Sequence, residues 1–370
     1  MVAAVMMAIG FSPNARADVR FEFGLNGGYT NNLFFDSSDV LDRHTTGTAA
    51  VKYYPLPWLE LNLSGDMSVY GEIPGLSSRL GRIGFTVIPF DQDHKFSVSV
   101  SGSYDGRRYH EVLDSSNNNN FNSRLAVGYR FLPALAARIG GTVQTTSYLV
   151  SESGDKRSAE VFAGVNATIL RNNSFDLELG YGVADYRTIN LSLKELPTGP
   201  TGYDFDEAFL SATLRSIYVS PRFSRPLGSK TGMSLTVLYR NFLNADSALV
   251  LGSSTGLLSP WSSVWEGKSV TLTVKTYLIR SLTVSAGAGY WSKTYFKTLE
   301  EEDFYHRSDW GDGREDIQKR VYLQVLRPIT VWREGLLQPK IQVDYTHNNS
   351  TNELFDFSGF SIDTGISLQF

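Results

Sequence analysis

The stretch SLTVSAGAGYWSKTYFK, Ser281 to Lys297, places Leu282, Val284, Ala286, Ala288 and Tyr290 at one parity and Thr283, Ser285, Gly287, Gly289, Trp291 and Lys293 at the other. Successive side chains of a strand point to opposite faces, so this repeat of two predicts a strand with one apolar and one polar side. The same alternation returns in Lys95 to Arg107, where Phe96, Val98, Val100 and Tyr104 oppose Ser97, Ser99, Ser101, Ser103 and Asp105. It returns again in Lys268 to Ile279, and at the end of the chain, where Phe360, Ile362, Ile366, Leu368 and Phe370 share a side. About sixteen such segments can be counted, an even number within the range of membrane barrels.

The connections alternate as well. Short ones sit at Pro55-Leu56-Pro57, Asp91-Gln92-Asp93, Leu132-Pro133, Asn172-Asn173, Arg280 and Glu334-Gly335. Between them lie longer polar stretches: Asn32–Asp42, His110–Asn119, Asn190–Asp206, Asn244–Ser263 and Thr298–Asp316. A soluble β-sandwich also alternates, but its strands run about five to six residues, whereas a tilted membrane strand needs about 9–11. In lipid no water satisfies backbone N–H and C=O groups, so an antiparallel sheet crosses only by closing on itself. The expected fold is all-β: a single transmembrane antiparallel β-barrel with short periplasmic turns, long extracellular loops and both termini in the periplasm. Tyr53, Tyr54, Trp58, Phe90, Phe131 and Trp332, near the short turns, are expected to form the inner aromatic girdle.

Composition narrows the alternatives. The longest apolar run, Met1 to Phe11, is too short to span a bilayer as a helix. Against 34 basic residues stand 38 acidic ones, a net charge of −4 without long basic runs, which argues against nucleic acid as a partner. The chain has no cysteine, so disulfides and thiolate metal sites are excluded. The apolar N-terminus, followed by Pro13 and then Ala15-Arg16-Ala17, fits a signal peptide over residues 1–17 with the barrel over 18–370. The basic segment that normally precedes the apolar one is missing, which is compatible with a true start upstream of Met1.

Ile366-Ser367-Leu368-Gln369-Phe370 resembles the C-terminal signal that the bacterial barrel assembly machinery reads, with Phe370 as its terminal aromatic. Tyr29-Thr30-Asn31-Asn32-Leu33-Phe34 is similar to the start of the porin barrels associated with exopolysaccharide biosynthesis loci. That resemblance implies a Gram-negative outer-membrane exit for polysaccharide, working beside a periplasmic polysaccharide-export protein. The surrounding partners would be outer-membrane lipids and lipopolysaccharide.

If each apolar face meets lipid, parity assigns the charges. The lumen is then expected to carry Arg20, Lys52, Arg82, Lys95, Arg107, Arg124, Arg130, Arg138, Arg215, Arg240, Lys275, Lys293, Lys297, Arg320 and Lys340. A smaller acidic set, Glu22, Glu60, Asp66, Asp105, Glu160, Asp176, Glu178, Asp344 and Asp363, faces them. A basic surplus in a low-dielectric wall favours anions, whether polymer or small solute; the same arginines, paired with these acids, would equally serve to rigidify the barrel. Arg327 breaks the parity beside Pro328. Tyr186, Tyr277 and Trp291 offer rings for sugar faces. Leu249, Leu251, Leu257, Leu258 and Trp261 are too apolar for a free loop and mark a candidate constriction. The acidic run from Glu300 to Asp316 matches no calcium-loop spacing and reads as a solvated extracellular loop.

Catalysis finds little support. Gly252-Ser253-Ser254-Thr255-Gly256 fits Gly-x-Ser-x-Gly, but no strand, sharp turn and helix surround it. His44, His94, His110, His306 and His347 have no metal-ligand spacing, and no cofactor is implied. The sequence therefore points to a non-enzymatic outer-membrane conduit with exopolysaccharide export as the leading role. The alternatives are a general or anion-selective diffusion porin, and a plugged structural or adhesive barrel acting through its loops.

Overall fold

The computed structural model describes residues 18–33, 40–90, 94–110, 116–149, 155–170, 172–195, 203–243, 265–294, 315–331, 335–351 and 353–370, with backbone alone for 186–195, 203–212, 280 and 354. The expected signal peptide lies outside these residues, as do Lys297, Trp332, the candidate constriction residues Leu249, Leu251, Leu257, Leu258 and Trp261, and the Gly252–Gly256 motif.

The strands are β1 (Asp18–Thr30), β2 (Asp42–Leu56), β3 (Leu59–Tyr70), β4 (Ser78–Val87), β5 (Phe96–Tyr109), β6 (Asn118–Leu132), β7 (Leu135–Tyr148), β8 (Lys156–Ile169) and β9 (Asn173–Glu195). They continue as β10 (Tyr203–Pro226), β11 (Thr231–Phe242), β12 (Glu266–Tyr277), β13 (Thr283–Thr294), β14 (Glu315–Leu326), β15 (Ile329–Val331), β16 (Gly335–Ser350) and β17 (Phe357–Gln369). All belong to one antiparallel sheet in which chain neighbours pair, and β1 also pairs with β17, so the sheet closes. β14 and β15 both pair with β16 on either side of Arg327-Pro328, where proline has no N–H to give the ladder; together they make one stave, and the barrel has sixteen.

The seam is built from the ends of the sequence. Phe21 and Phe370 exchange backbone hydrogen bonds of 2.8 and 3.0 Å, and the Phe370 ring stacks on Phe21 and Phe23 at 5.7 and 6.0 Å. Both termini sit at the end that carries the short turns, such as Pro57-Trp58 and Pro133-Ala134. That end is periplasmic in barrels of this kind.

Residues directly opposite in the ladder share a face, so the register divides the whole wall. Outward lie Leu25, Leu63, Ile83, Leu125, Ile139, Val161, Leu323 and Ile366, exposed side chains that only a lipid environment suits; Leu63 is 61% exposed and Ile139 63%. Two aromatic levels bracket this band. Phe21, Tyr53, Phe96, Tyr129, Phe131 and Phe370 stand near the periplasmic end, and Tyr29, Tyr104, Phe121, Tyr239, Tyr290 and Tyr345 stand toward the extracellular end. Tyr54, expected in the inner girdle, turns into the lumen instead, opposite Asp18 and with Arg20 5.1 Å from its ring.

Two loop boundaries differ from expectation. Asn190–Asp206 reads as a loop, yet β9 runs to Glu195 and pairs with β10 from Tyr203 onward. Beyond Tyr186, where β8 ends its pairing, this two-stranded ribbon rises past its neighbours. Its signal was the alternation of Ile189, Leu191 and Leu193. Glu315 and Asp316 likewise belong to β14 rather than to a solvated loop; Asp316 lies inside the wall opposite Lys293 and is 1% exposed.

Candidate functional site: the charged lumen

Inward positions carry the chemistry. On β4 to β7, arginines descend one side of the lumen from the extracellular end. Arg107 stands near the top of β5, Arg82 of β4 opposes Asp105, and Arg124 of β6 opposes Ser101. Arg138 of β7 opposes Gly128, which itself opposes Ser97, and the Arg130 N–H bonds the Lys95 carbonyl at 2.7 Å near the periplasmic rim. At about 3.3 Å per strand residue the column covers roughly 40 Å of wall.

Each member is held differently. Arg107 Nη1 lies 3.5 Å from the Tyr109 hydroxyl, Arg82 is 3.6 Å from Asp105, and Arg124 lies 4.6 Å from the centre of the Phe162 ring. Arg138 is clamped hardest: it reaches Asp176 through two hydrogen bonds of 2.7 and 2.9 Å and Glu178 through one of 2.9 Å. The Tyr218 hydroxyl lies 2.9 Å from Glu160 and 3.0 Å from Glu178, tying β8, β9 and β10 into the same network. Two glycines make room for it. A Cβ at Gly164 would sit 3.1 Å from Arg138 Nε, and one at Gly180 would collide with the Tyr218 ring.

Across the lumen, Arg320 pairs with Asp344, and Lys293 donates to Gln318 at 2.8 Å while lying 5.7 Å from the Trp265 ring. Trp291, Lys293, Gln318, Arg320, Asp344 and Asp363 contribute to a cavity of about 400 Å3. Arg240 approaches Trp265 at 5.1 Å, and Lys275 approaches Tyr277 at 5.2 Å. Near the periplasmic mouth, Lys52 bonds Glu22 at 2.8 Å.

The expected lining residues Arg82, Arg107, Arg124, Arg130, Arg138, Arg240, Lys275, Trp291 and Lys293 all take inward positions. Lys95 sits exposed in the turn just ahead of β5. Arg215 does not line the lumen: it shares the outward phase of Ile217 and Val219, and Leu214, 3% exposed, takes the inward place. Near the extracellular end a cation has water and headgroups beside it, so it need not turn inward. Arg327 lies in the break between β14 and β15 at the periplasmic rim, its N–H bonding the Pro339 carbonyl at 3.1 Å.

The basic surplus is also smaller than parity suggested. Arg222 and Lys156 join the inward cations, but Asp18, Asp42 and Asp316 join the acids. Asp42 went unrecognised because its neighbourhood reads as polar loop. Its buried carboxylate accepts the N–H groups of Gly71, Glu72 and Ile73 at 3.0–3.1 Å, fastening the start of β2 to the β3–β4 connection.

Of the histidines, His44 lies 3.3 Å from Asp363 and His347 Nδ1 lies 2.8 Å from the Ser358 hydroxyl. Among the described residues no three His, Cys, Asp or Glu side chains are grouped to hold a metal ion.

No family profile matches the sequence, and no curated protein matches it. Among solved structures, Acinetobacter baumannii OccAB1 is similar with a TM-score of 0.53 and 8% identity, over 96% of this chain and 97% of that one. The outer membrane protein opdK of Pseudomonas aeruginosa gives a TM-score of 0.50 and 11% identity, over 95% of this chain and 99% of that one. Likeness at such identity is one of fold. The protein has the fold of a bacterial outer-membrane β-barrel, and its apolar outer face suits a lipid bilayer.

Proposed function

We propose that this barrel is a diffusion pore for small hydrophilic solutes, with a preference for anions. The observation that carries the reading is the accessibility of inward arginines at mid-wall. Arg82 and Arg124 point into the barrel and remain exposed, Arg82 at 46%, which is what side chains bathed by lumen water would show. A wall of about 16 strands is wide enough to leave an aqueous channel. Cations along one continuous side attract anions at close range, while Asp176, Glu178 and Glu160 keep that preference moderate by neutralising Arg138.

The polysaccharide-exit reading has less behind it. The residues that prompted it close the barrel seam: Asn31 Oδ1 accepts the Phe360 N–H at 2.6 Å, the Asn31 N–H donates to the Phe360 carbonyl at 3.1 Å, and Thr30 Oγ1 accepts the Asn32 N–H at 3.2 Å. Any barrel needs such a joint, whatever it conducts.

The test is single-channel recording of the refolded barrel in planar bilayers, with reversal potentials under a salt gradient, before and after adding a soluble anionic polysaccharide. A steady current with a moderate anion preference, untouched by the polymer, supports the diffusion pore. Polymer block would transfer support to polysaccharide export, and absence of current would favour a plugged barrel.

A further inference from the structure

The outer face carries a feature that diffusion through the lumen does not require. Arg43, Arg79, Arg108, Arg157, Lys268 and Lys319 all point outward, all are exposed, and all lie at the extracellular ends of their strands. On β5, Arg108 stands four residues above Tyr104, and Lys268 opposes Tyr239, so these cations occupy the level of the upper aromatic ring and just above it. The same rim has outward acids: Glu315 shares the phase of Lys319, and two others are engaged. Asp185 opposes Arg157 and accepts the Thr213 hydroxyl at 2.7 Å, and Glu266 accepts the Phe242 N–H at 3.3 Å.

One pair stands apart. Arg79 and Arg108 are directly opposed across the β4–β5 ladder, both outward, where like charges repel. Arg108 is fastened in place by hydrogen bonds to the carbonyls of Arg107 and Asn118 and to Asn119 Oδ1, at 2.8–2.9 Å. Arg79 also edges an almost wholly apolar groove of about 690 Å3 on the lipid side, between Leu25, Met67, Ile366 and Leu368, floored by Gly47, Ala49 and Gly65. Small residues on a lipid-facing wall leave a furrow along it, and a Cβ at Gly47 would meet nothing within 4 Å.

We propose that this corner binds a phosphorylated, multiply acylated glycolipid of the outer leaflet, the lipid A part of lipopolysaccharide. Its phosphate sits between the Arg79 and Arg108 guanidiniums and relieves their repulsion by charge-assisted hydrogen bonds. One acyl chain lies in the Gly47–Ala49–Gly65 furrow. The height of the pair selects the leaflet, since the furrow leads from an extracellular phosphate level down into the apolar band. Cations distributed around the rim suit a lipid that surrounds the barrel; a second barrel docking on this face would set Arg79 and Arg108 against its own basic rim.

The test uses the full-length barrel in detergent and native mass spectrometry with three probes: bisphosphorylated lipid A, the same lipid with its phosphates removed, and phosphatidylethanolamine. The wild-type barrel should retain bisphosphorylated lipid A over both others. At about 1 kcal/mol for each cation near an anionic headgroup, the double variant Arg79→Gln/Arg108→Gln should weaken retention about thirtyfold. Gly47→Leu, which fills the furrow and leaves both arginines unsubstituted, should weaken it as well, and unchanged single-channel conductance verifies that both variants are folded. Retention that ignores the phosphates, retention insensitive to both variants, or a barrel that self-associates through this face in place of binding lipid would each overturn the proposal.

Discussion

The two faces of the wall house arginine in opposite ways. Inside, Arg138 meets two carboxylates and Arg320 meets one, and the described ion pairs Lys52–Glu22 and Arg82–Asp105 lie in the lumen with them. Outside, Arg79 faces Arg108. Inward cations occur at every height, whereas outward ones cluster at the extracellular rim, with Arg225 near the opposite end of β10. The difference teaches that parity alone does not place a charge in a membrane barrel. Height matters equally, because the lumen is wet along its length and the outer face is wet only at its edges.

The sharpest way to break the comparison is to move a cation by one residue. Arg124 and Leu125 are neighbours on β6, one inward and one outward, at the middle of the wall. Leu125→Arg should destabilise the barrel by about 2–4 kcal/mol in reversible urea unfolding from lipid vesicles, the usual effect of a lipid-facing arginine near the midplane. Indifference to this change would mean that the outer face at this height is not in lipid. Next in size is Arg138→Ala. Removing the clamp leaves Asp176, Glu178 and Glu160 together without their shared cation, and with charged hydrogen bonds at about 1.5–3 kcal/mol the same unfolding measurement should register a loss in that range. Tyr218→Phe deletes one hydroxyl that bridges two of these acids and should show a smaller loss, about 1 kcal/mol. If Tyr218→Phe proved as damaging as Arg138→Ala, the hydroxyl rather than the guanidinium would hold β8 to β10 together.

Most of the wall was legible in the sequence because alternation is a local property. Val284, Ala286 and Ala288 declare the outward face of β13 without reference to any other strand, and the sixteen staves follow from repeating that reading. Arg215 was expected to line the lumen although Ile217 and Val219 share its outward phase; the strand's height relative to its neighbours is set by pairing with Val183, which the sequence does not display. Asp42 escaped for a similar reason. Its role depends on three N–H groups some thirty residues away, and nothing in the polar segment around it announces a buried carboxylate. The Arg138 network was half visible, as an arginine and acids of the same phase, but the part played by Tyr218 and by the glycines beneath the side chains is a matter of cross-strand register. The ribbon of β9 and β10 was hidden by charged and polar residues between its apolar ones.

The smallest effect in energy is the most informative about function. Arg107 and Arg124 belong to the column without being clamped as Arg138 is: one lies beside the Tyr109 hydroxyl, the other over the Phe162 ring. Neutralising both, as Arg107→Gln/Arg124→Gln, should leave unfolding within about 0.5 kcal/mol of the parent, as for substitutions away from packed or networked positions. Their contribution is to the potential along the lumen, so the reversal potential should move toward the cation side while conductance in concentrated salt, where screening lengths shrink to about 3 Å, stays near its original value. Replacing Arg138 by Gln should alter selectivity less per charge removed than this pair does, since hydrogen bonds to Asp176 and Glu178 hold its guanidinium against the wall. Equal shifts per charge removed, from the clamped and the unclamped arginines, would show that ions sense only the summed charge of the wall, and the distinction between structural and conducting arginines would fall.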